Sequence, residues 1–274
     1  MISKSAIKRL KIGLIGCGNM GAAIVNGLVE AGFYPRLIQI SDPDPKKIKS
    51  LKKDSGCKIA KNNRQVASIC DVIILAIKPA HMDSVLDEIT RVVPKQTLVI
   101  SIAAGITITR IQKGFNEKVP IVRVMPNMPA LIQEGISAYA LGSHALPKHK
   151  AIASEILASL GEVVEVKEKS MDAVTAISGS GPAYFFLLAE KMIEAACQLG
   201  LKANVAKQLV YQTAFGSAQV LISENEDPDV LISRVASKGG TTEAALKVYA
   251  RKGFGKIVND AIGAAHKKAG ELNN

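Results

Sequence analysis

The chain of 274 residues is long enough for one large domain or two modest ones, and its hydrophobic fraction of 48% supports a sizeable core. No apolar run approaches the roughly 18 residues of a membrane span, and the basic N-terminus lacks an apolar secretion signal, so we expect no membrane association. The net charge of +11 is spread along the chain without interleaved aromatic residues, which favours attraction of small anions over a nucleic-acid partner.

The cysteines and histidines predict neither a disulfide framework nor a metal site. The four cysteines include no C-x-x-C pair, which is typical of reduced thiols in a cytoplasmic protein. Cys17 lies within a glycine-rich turn, where we interpret it as a small filler. His144 and His149 lie five residues apart in a polar stretch, and we expect both to be solvated.

The first predicted strand leads into a glycine-rich turn and a helix. The apolar run Ile12–Ile15 precedes Gly16, Gly18 and Gly21, which have the spacing G-x-G-x-x-G. In this context Gly16 permits the turn, Gly18 lets the backbone approach a pyrophosphate, and Gly21 lets the helix pack on the strand. The pattern predicts a dinucleotide-binding turn. The same spacing also occurs as an ordinary turn of an α/β domain.

The end of the second predicted strand leaves the choice between NAD and NADP open. Asp42 lies about 20 residues after the last of these glycines, where an acid would bind the ribose 2′-hydroxyl of NAD. Lys46 and Lys47 follow, and a 2′-phosphate would favour them. Asp44 has an alternative interpretation as a helix cap, with Pro45 at the first helical position.

Strand and helix patterns alternate as far as residue 168. This alternation predicts an α/β fold, with a doubly wound, Rossmann-type dinucleotide-binding domain over residues 1–168. Helices are predicted at 20–31, 46–54, 107–114 and 148–160. The runs that we predict as strands are 12–15, 37–40, 57–60, 72–77, 98–102, 121–124, 136–141 and 163–166.

The strand ends carry small residues, and ligands of such sheets bind at the carboxyl ends of the strands. The stretches there are Lys78-Pro79, Ala103–Gly105 and Met125–Pro129. The small residues in these stretches would leave space for a flat ring. Alternatively, the stretches are ordinary loops between strands and helices.

Strand patterns stop after this point, and residues 169–274 are predicted to form an all-helical domain for dimerisation and substrate binding. Helices are predicted at 183–199, 204–223, from 228, at 243–251 and at 256–272. The helix from Ala183 is apolar on most of its surface, so we expect it to be buried, most simply between subunits.

A second candidate site lies in the turn Gly239–Glu243, which leads into a helix. Free N–H groups and the positive end of the helix dipole suit a carboxylate. The alternative is an ordinary capping turn, with a threonine as the cap and Glu243 in the first turn.

These motifs together resemble those of the pyrroline-5-carboxylate reductase family, which catalyses the last step of proline synthesis. The resemblance runs from about residue 11 to the end. It rests on five stretches in the family's order, which are Ile15–Gly21, Ala76–Pro79, Met125–Pro129, Ser178–Tyr184 and Ser237–Thr242.

The resemblance implies hydride transfer from NAD(P)H to the imine carbon of 1-pyrroline-5-carboxylate, with NADPH preferred and NADH as an alternative. It also implies an interleaved homodimer that can assemble further. The implied substrate-binding residues are Ser237, Gly240, Thr241 and Thr242, and Thr242, which faces the ring nitrogen, is the implied catalytic residue. The implied cofactor-binding residues are Gly16, Cys17, Gly18, Asn19, Met20, Gly21, Ser41, Asp42, Asn63, Ala76, Lys78, Pro79 and Ala104.

Two residues depart from the family pattern. Lys238 replaces a usual proline, which loosens the turn and places a cation near the expected carboxylate. Asp42 stands where some members have a small polar residue, and an acid there would repel a 2′-phosphate. A glutamate that family members have near the substrate falls at or beside Glu224-Asn225, and we do not carry its role over to this chain.

Two other functional classes fit parts of the sequence. One is a β-hydroxyacid dehydrogenase, which would use a helical lysine such as Lys191, although we interpret Lys191 as a surface residue. The other is a dinucleotide-binding regulator without catalysis. The lack of an evident catalytic histidine or carboxylate pair fits imine reduction, because a protonated imine is already electrophilic and the cofactor supplies the hydride.

Overall fold

The computed structural model describes residues 2–115 and 118–272. The chain divides into two compact units. The first contains the residues up to Ser180 together with those from Ala265 onward, and the second contains Gly181–Ala264. The domain boundary predicted between residues 168 and 169 stays a prediction.

The first unit is built on a single sheet. Its strands are β1 (Ile12–Ile15), β2 (Ile38–Ser41), β3 (Lys58–Ile59), β4 (Val72–Leu75), β5 (Leu98–Ser101), β6 (Ile121–Met125), β7 (Gly135–Leu141) and β8 (Gly161–Glu165). Their order across the sheet is β3-β2-β1-β4-β5-β6-β7-β8. Neighbouring strands are parallel except β6 and β7, which are antiparallel. The predicted α/β fold is therefore confirmed, with one antiparallel pair that the sequence did not indicate.

Helices cover both faces of this sheet. The α-helices of the first unit are α1 (Lys4–Ile7), α2 (Asn19–Glu30), α3 (Pro45–Ser55), α4 (Asn63–Ile69), α5 (Met82–Ile89), α6 (Ile108–Gly114), α7 (Pro147–Leu157) and α8 (Met171–Val174). Short 3-10 segments occur at Pro35–Leu37, Pro79–His81, Met128–Ile132, Ala158–Leu160 and Glu168–Ser170, and a π-helical segment occurs at Thr175–Gly179.

The strands contribute to two hydrophobic cores because successive side chains of a strand point to opposite faces. Leu14 and Ile74 are buried with α2, α3 and α7 on one face. Ile15, Ile73 and Leu75 are buried with α4, α5 and α6 on the other. All four residues of β1 and of β4 are buried, as expected for central parallel strands.

Two predicted helix starts are confirmed. Asp44 caps α3, where its carboxylate accepts the N–H of Lys46 at 2.9 Å and Pro45 occupies the first helical position. Thr107 caps α6 in the same way, through the N–H of Arg110 at 3.1 Å. The capping interpretation of Asp44 therefore holds.

The expectation that His149 is solvated is wrong. Helix α7 begins at Pro147, so His149 lies in its first turn and faces the sheet, with 4% of its surface exposed. Its Nδ1 accepts the N–H of Leu146 at 3.0 Å, and its Nε2 is buried without a partner among the described residues. Burial lowers the pKa of this imidazole, and the charge of Lys148 adds to the effect.

The second unit is entirely helical. It contains α9 (Gly181–Gln198), α10 (Ala203–Glu224), α11 (Pro228–Val235), α12 (Thr241–Arg251) and the start of α13 (Phe254–Leu272), whose last turns belong to the first unit. The helices predicted here are confirmed. Within the described ranges, no helix is long and apolar enough to cross a membrane, and no three His, Cys, Asp or Glu side chains cluster to hold a metal ion.

Helix α9 is not buried within its own chain, so its predicted burial between subunits stays a prediction. It packs against α10, but Phe185 and Phe186 on α9 and Phe215 on α10 remain more than half exposed. They form part of an apolar surface that the second unit presents outward.

Candidate active site

The carboxyl ends of the central strands meet at one edge of the sheet. In the observed register Ile15 lies beside Ser41 on one side and beside Leu75 on the other, and Leu75 lies beside Ser101. The residues that follow these strands are therefore neighbours. Strand order reverses between β1 and β4, which is where dinucleotides bind in such sheets.

Each glycine of the first turn has the geometry that its predicted task needs. Gly16 has a φ of +102°, a left-handed conformation that other residues rarely adopt. A Cβ on Gly21 would lie 2.1 Å from the Gly16 carbonyl oxygen, so only glycine allows this close packing. A Cβ on Gly18 would meet nothing within 4 Å, because Gly18 faces open space. That open space is a cradle that a side chain would fill.

The start of helix α2 is free to bind an anion. Gly18 is its N-cap residue, and no side chain among the described residues caps this end. The N–H groups of the first turn and the positive end of the helix dipole therefore remain available for phosphate oxygens. Asn19 and Met20 occupy the first positions of this helix. The geometry fits the pyrophosphate of a dinucleotide.

Cys17 is held in the turn and is not a reactive thiol. Its side chain is buried, with Sγ 3.8 Å from the Ser41 carbonyl oxygen. Burial, followed by the charge of Asp42, raises the pKa of this thiol to about 12. The thiol therefore stays protonated at neutral pH, which agrees with a filler role.

The remaining predicted cofactor residues lie along the same edge. Ser41 Oγ is 2.8 Å from Oδ1 of Asn63, and Nδ2 of Asn63 donates to Glu88 at 2.7 Å. The Ala76 N–H donates to the Ile15 carbonyl at 2.8 Å, which fixes the exit of β4 beside the glycine turn. Three further predicted residues follow the ends of β4 and β5, namely Lys78, Pro79 and Ala104.

The second candidate site is the turn before α12. Gly240, and neither threonine, is the N-cap of this helix, and no side chain caps it within the described part of the chain. The alternative of a threonine cap is therefore wrong. The side chain of Glu243 bends back to accept the Gly239 N–H at 2.7 Å, which lowers the pKa of that carboxyl, with a further effect from Lys247.

The turn is shaped by its two glycines. Gly239 has a φ of +74°. A Cβ on Gly240 would lie 2.7 Å from the hydroxyl oxygen of Ser237, so Gly240 keeps this hydroxyl close to the helix start. Thr241 and Thr242 are the first two residues of α12, with Thr242 half-buried. Hydroxyl and amide donors thus converge at an uncapped helix end.

Thr242 also lines a cavity of about 880 Å³ within the second unit. Glu224 and Arg234 line the same cavity, and Arg234 pairs with Glu224 at 3.4 Å and with Glu226 at 2.6 Å. No motif in the sequence indicated a role for Glu224 or Arg234. Their proximity to Thr242 depends on the packing of three helices, which no local pattern indicates.

Known proteins match both units. Residues 168–272 match the family described as pyrroline-5-carboxylate reductase dimerisation, and residues 11–105 match NADP oxidoreductase coenzyme F420-dependent. A pyrroline-5-carboxylate reductase of Escherichia coli is 37% identical over 264 residues, which covers 96% of this chain and 98% of the relative. The chain belongs to the pyrroline-5-carboxylate reductase family.

Solved structures of the pyrroline-5-carboxylate reductase family share the fold. The enzyme of Coxiella burnetii superposes with a TM-score of 0.92 at 35% identity, covering 97% of this chain and 99% of the other. The Plasmodium falciparum pyrroline carboxylate reductase with NADP bound has a TM-score of 0.87 at 32% identity, with the same coverage. Lys191, the helical lysine that a β-hydroxyacid dehydrogenase would use, is exposed and pairs with Glu190 and Glu194, which agrees with its interpretation as a surface residue.

Proposed function

We propose that this chain is a pyrroline-5-carboxylate reductase, which transfers a hydride from NADPH to the imine carbon of 1-pyrroline-5-carboxylate and forms L-proline. The observation that carries this proposal is the match to relatives of this name over almost the whole chain, at 35–37% identity. The family models, which match residues 11–105 and 168–272, include both candidate sites. The reaction would be the last step of proline biosynthesis, in the cytoplasm.

The cofactor site in this proposal is the edge of the sheet around the glycine turn. The residues from Gly16 to Gly21, including Cys17, Asn19 and Met20, would surround the pyrophosphate, with the N–H groups from Gly18 onward as its donors, and the open space at Gly18 supports this role. A bound nicotinamide dinucleotide would supply the hydride. Other residues proposed to line the site are Ser41, Asp42, Asn63, Ala76, Lys78, Pro79 and Ala104.

The substrate site in this proposal is the turn before α12. Ser237, Gly240 and Thr241 would bind the substrate carboxylate at the uncapped helix start, where the dipole contributes about 0.3–1 kcal/mol and up to ~2 kcal/mol when partly buried. Thr242 would hold the ring nitrogen in place. Charge complementarity and orientation are then the protein's contribution to catalysis, and no strong acid is needed.

We also propose a homodimer formed through the helical region, residues 169–274, with further assembly of dimers. The exposed apolar surface of α9 and α10 supports this, because monomers rarely expose large apolar patches. Phe215→Glu should therefore shift the sedimentation of the protein from dimer to monomer. A variant that sediments like the parent would remove α10 from the proposed interface.

The proposed activity is tested by initial rates of NADPH and NADH oxidation with 1-pyrroline-5-carboxylate. We expect rapid oxidation of NADPH that depends on the substrate, and formation of an equal amount of proline. Clear dinucleotide binding without turnover would contradict the proposed activity and favour a different imine or ketone substrate or a non-catalytic binder.

A further inference from the structure

The carboxylate of Asp42 is already engaged by the backbone of its own unit. Its Oδ2 accepts the N–H of Cys17 at 2.7 Å, and its Oδ1 accepts the N–H of Asp44 at 2.8 Å. Each oxygen therefore has one backbone donor, and the side chain is half-buried. Hydrogen bonds to an ionised acceptor are about twice as strong as those between neutral groups.

The contact with Cys17 fixes the glycine turn from the neighbouring strand. The N–H of Gly16 donates to the Ser41 carbonyl at 2.8 Å, and the N–H of Cys17 donates to the carboxylate of Asp42. Two consecutive amides of the turn are thus held by the end of β2. The N–H groups from Gly18 onward remain directed to the cradle at the start of α2.

An acid at this position usually selects NAD by binding the ribose 2′-hydroxyl and repelling a 2′-phosphate. Here both carboxylate oxygens accept a backbone N–H, which fixes the side chain against the turn and partly compensates its charge. Cations lie close by, in the first turn of α3, as Lys46 and Lys47. The charge of Lys47 acts on the Cys17 thiol, whose pKa it lowers against the larger effect of burial.

We propose that Asp42 is a positioning residue, which holds the Cys17 amide and with it the path of the pyrophosphate-binding turn, and that it does not select between NADPH and NADH. This inference rests on the proposed dinucleotide site. It does not depend on which imine or ketone is the substrate.

The test uses the purified full-length Asp42→Ala and Asp42→Asn variants, with Asp44→Asn as the matched control. Asp44 carries the same charge two residues away but accepts from Lys46 and does not touch the turn. The first measurements are equilibrium binding of NADP⁺ and of NAD⁺, and kcat and KM for NADPH and NADH. The last is hydrogen–deuterium exchange in the full-length protein without ligand, followed in the peptide that spans residues 12–20.

We expect Asp42→Ala to weaken binding of both dinucleotides by about tenfold, with an unchanged ratio between them. The KM values should rise in parallel while kcat at saturation stays close to that of the parent. Exchange in the 12–20 peptide should become faster. Asp42→Asn keeps an acceptor without the charge and should lose only about threefold, whereas Asp44→Asn should change none of these quantities.

The inference is overturned if Asp42→Ala and Asp42→Asn both raise NADP⁺ affinity relative to NAD⁺ by about tenfold, because Asp42 would then act through its charge on the 2′ position. Unchanged exchange in Asp42→Ala, or a parent that binds neither dinucleotide, would also overturn it. If Asp42→Ala does not fold, the ratio of NADP⁺ to NAD⁺ affinity in Asp42→Asn decides whether Asp42 positions the turn or selects the dinucleotide. The parent could bind both dinucleotides without reducing 1-pyrroline-5-carboxylate. Parallel losses of NADP⁺ and NAD⁺ affinity in the Asp42 variants would then support the inference, although the proposed activity would have failed.

Discussion

Gly21 on helix α2 lies so close to Gly16 that a Cβ there would come within 2.1 Å of the Gly16 carbonyl oxygen. The helix therefore sits directly on the turn that precedes it. Gly18, between them, has a φ of −71° and faces open space. The same motif thus contains glycines needed for packing and one needed only for the space beside it.

The Gly18→Val variant should fold normally but lose dinucleotide binding by about a hundredfold or more, because its side chain would occupy the pyrophosphate cradle. Calorimetric titration with NADP⁺ and a thermal melt measure the two effects separately. Gly21→Ala is the contrasting variant, and its overpacking should lower the free energy of unfolding by about 1–3 kcal/mol or more. Normal NADP⁺ binding by Gly18→Val would contradict the assignment of the cradle.

The Thr242→Ala variant should lower kcat by about 10- to 100-fold and leave NADP⁺ binding almost unchanged, because Thr242 is proposed to orient the substrate nitrogen and is not among the residues proposed to bind the cofactor. Thr242→Ser keeps the hydroxyl and should retain most of the activity. Steady-state kinetics and NADP⁺ titration of both variants provide the comparison. Equal losses in turnover and in cofactor binding would exclude this role.

Lys238 stands where the family usually has proline, and it is exposed in the turn before α12. If its charge assists the substrate carboxylate, Lys238→Met should raise KM for 1-pyrroline-5-carboxylate about two- to fivefold without changing kcat. The difference in KM between the parent and Lys238→Met should become smaller as salt is added, because salt screens the charge of Lys238. Lys238→Arg preserves the charge and should behave like the parent. A Met variant with an unchanged KM at low salt would show that the charge has no part in binding.

Acid should destabilise the first unit through His149. Burial lowers the pKa of this imidazole in the folded state, with Lys148 adding to the effect, so the unfolded chain takes up the proton at a higher pH. This contribution to stability is complete above the unfolded value of about 6.5 and decreases as the pH falls below it. Urea unfolding between pH 5 and 8 should therefore show a steeper loss for the parent than for His149→Gln. Identical pH dependence of the two proteins would refute this role.

The sequence predicted the elements whose signals are local. The G-x-G-x-x-G spacing identified the turn, and the positive φ of Gly16 and the open face of Gly18 agree with the tasks predicted for them. Pro45 and Thr107 marked helix starts because proline geometry and hydroxyl capping act within one turn.

Other features depend on contacts between distant parts of the chain. The bond from Cys17 to Asp42 requires the register of β1 against β2, which no spacing in the sequence reveals. His149 is buried because it lies in the first turn of α7, which begins at Pro147, and this helix turns the side chain toward the sheet. Helices α4 and α5 have seven and eight residues, and their short periodic patterns were not recognised. Helix α6 is as short as α4, but the Thr107 cap marked its start.

The fate of the cofactor hydrogen tests the proposed function most directly. The protein is incubated with 1-pyrroline-5-carboxylate and NADPH that carries deuterium in both C4 positions, and the proline formed is examined by mass spectrometry and NMR. We expect one deuterium at C5 of every proline molecule and one NADPH oxidised for each. Unlabelled proline, or no proline from a protein that binds NADPH, would contradict direct hydride transfer to the imine carbon.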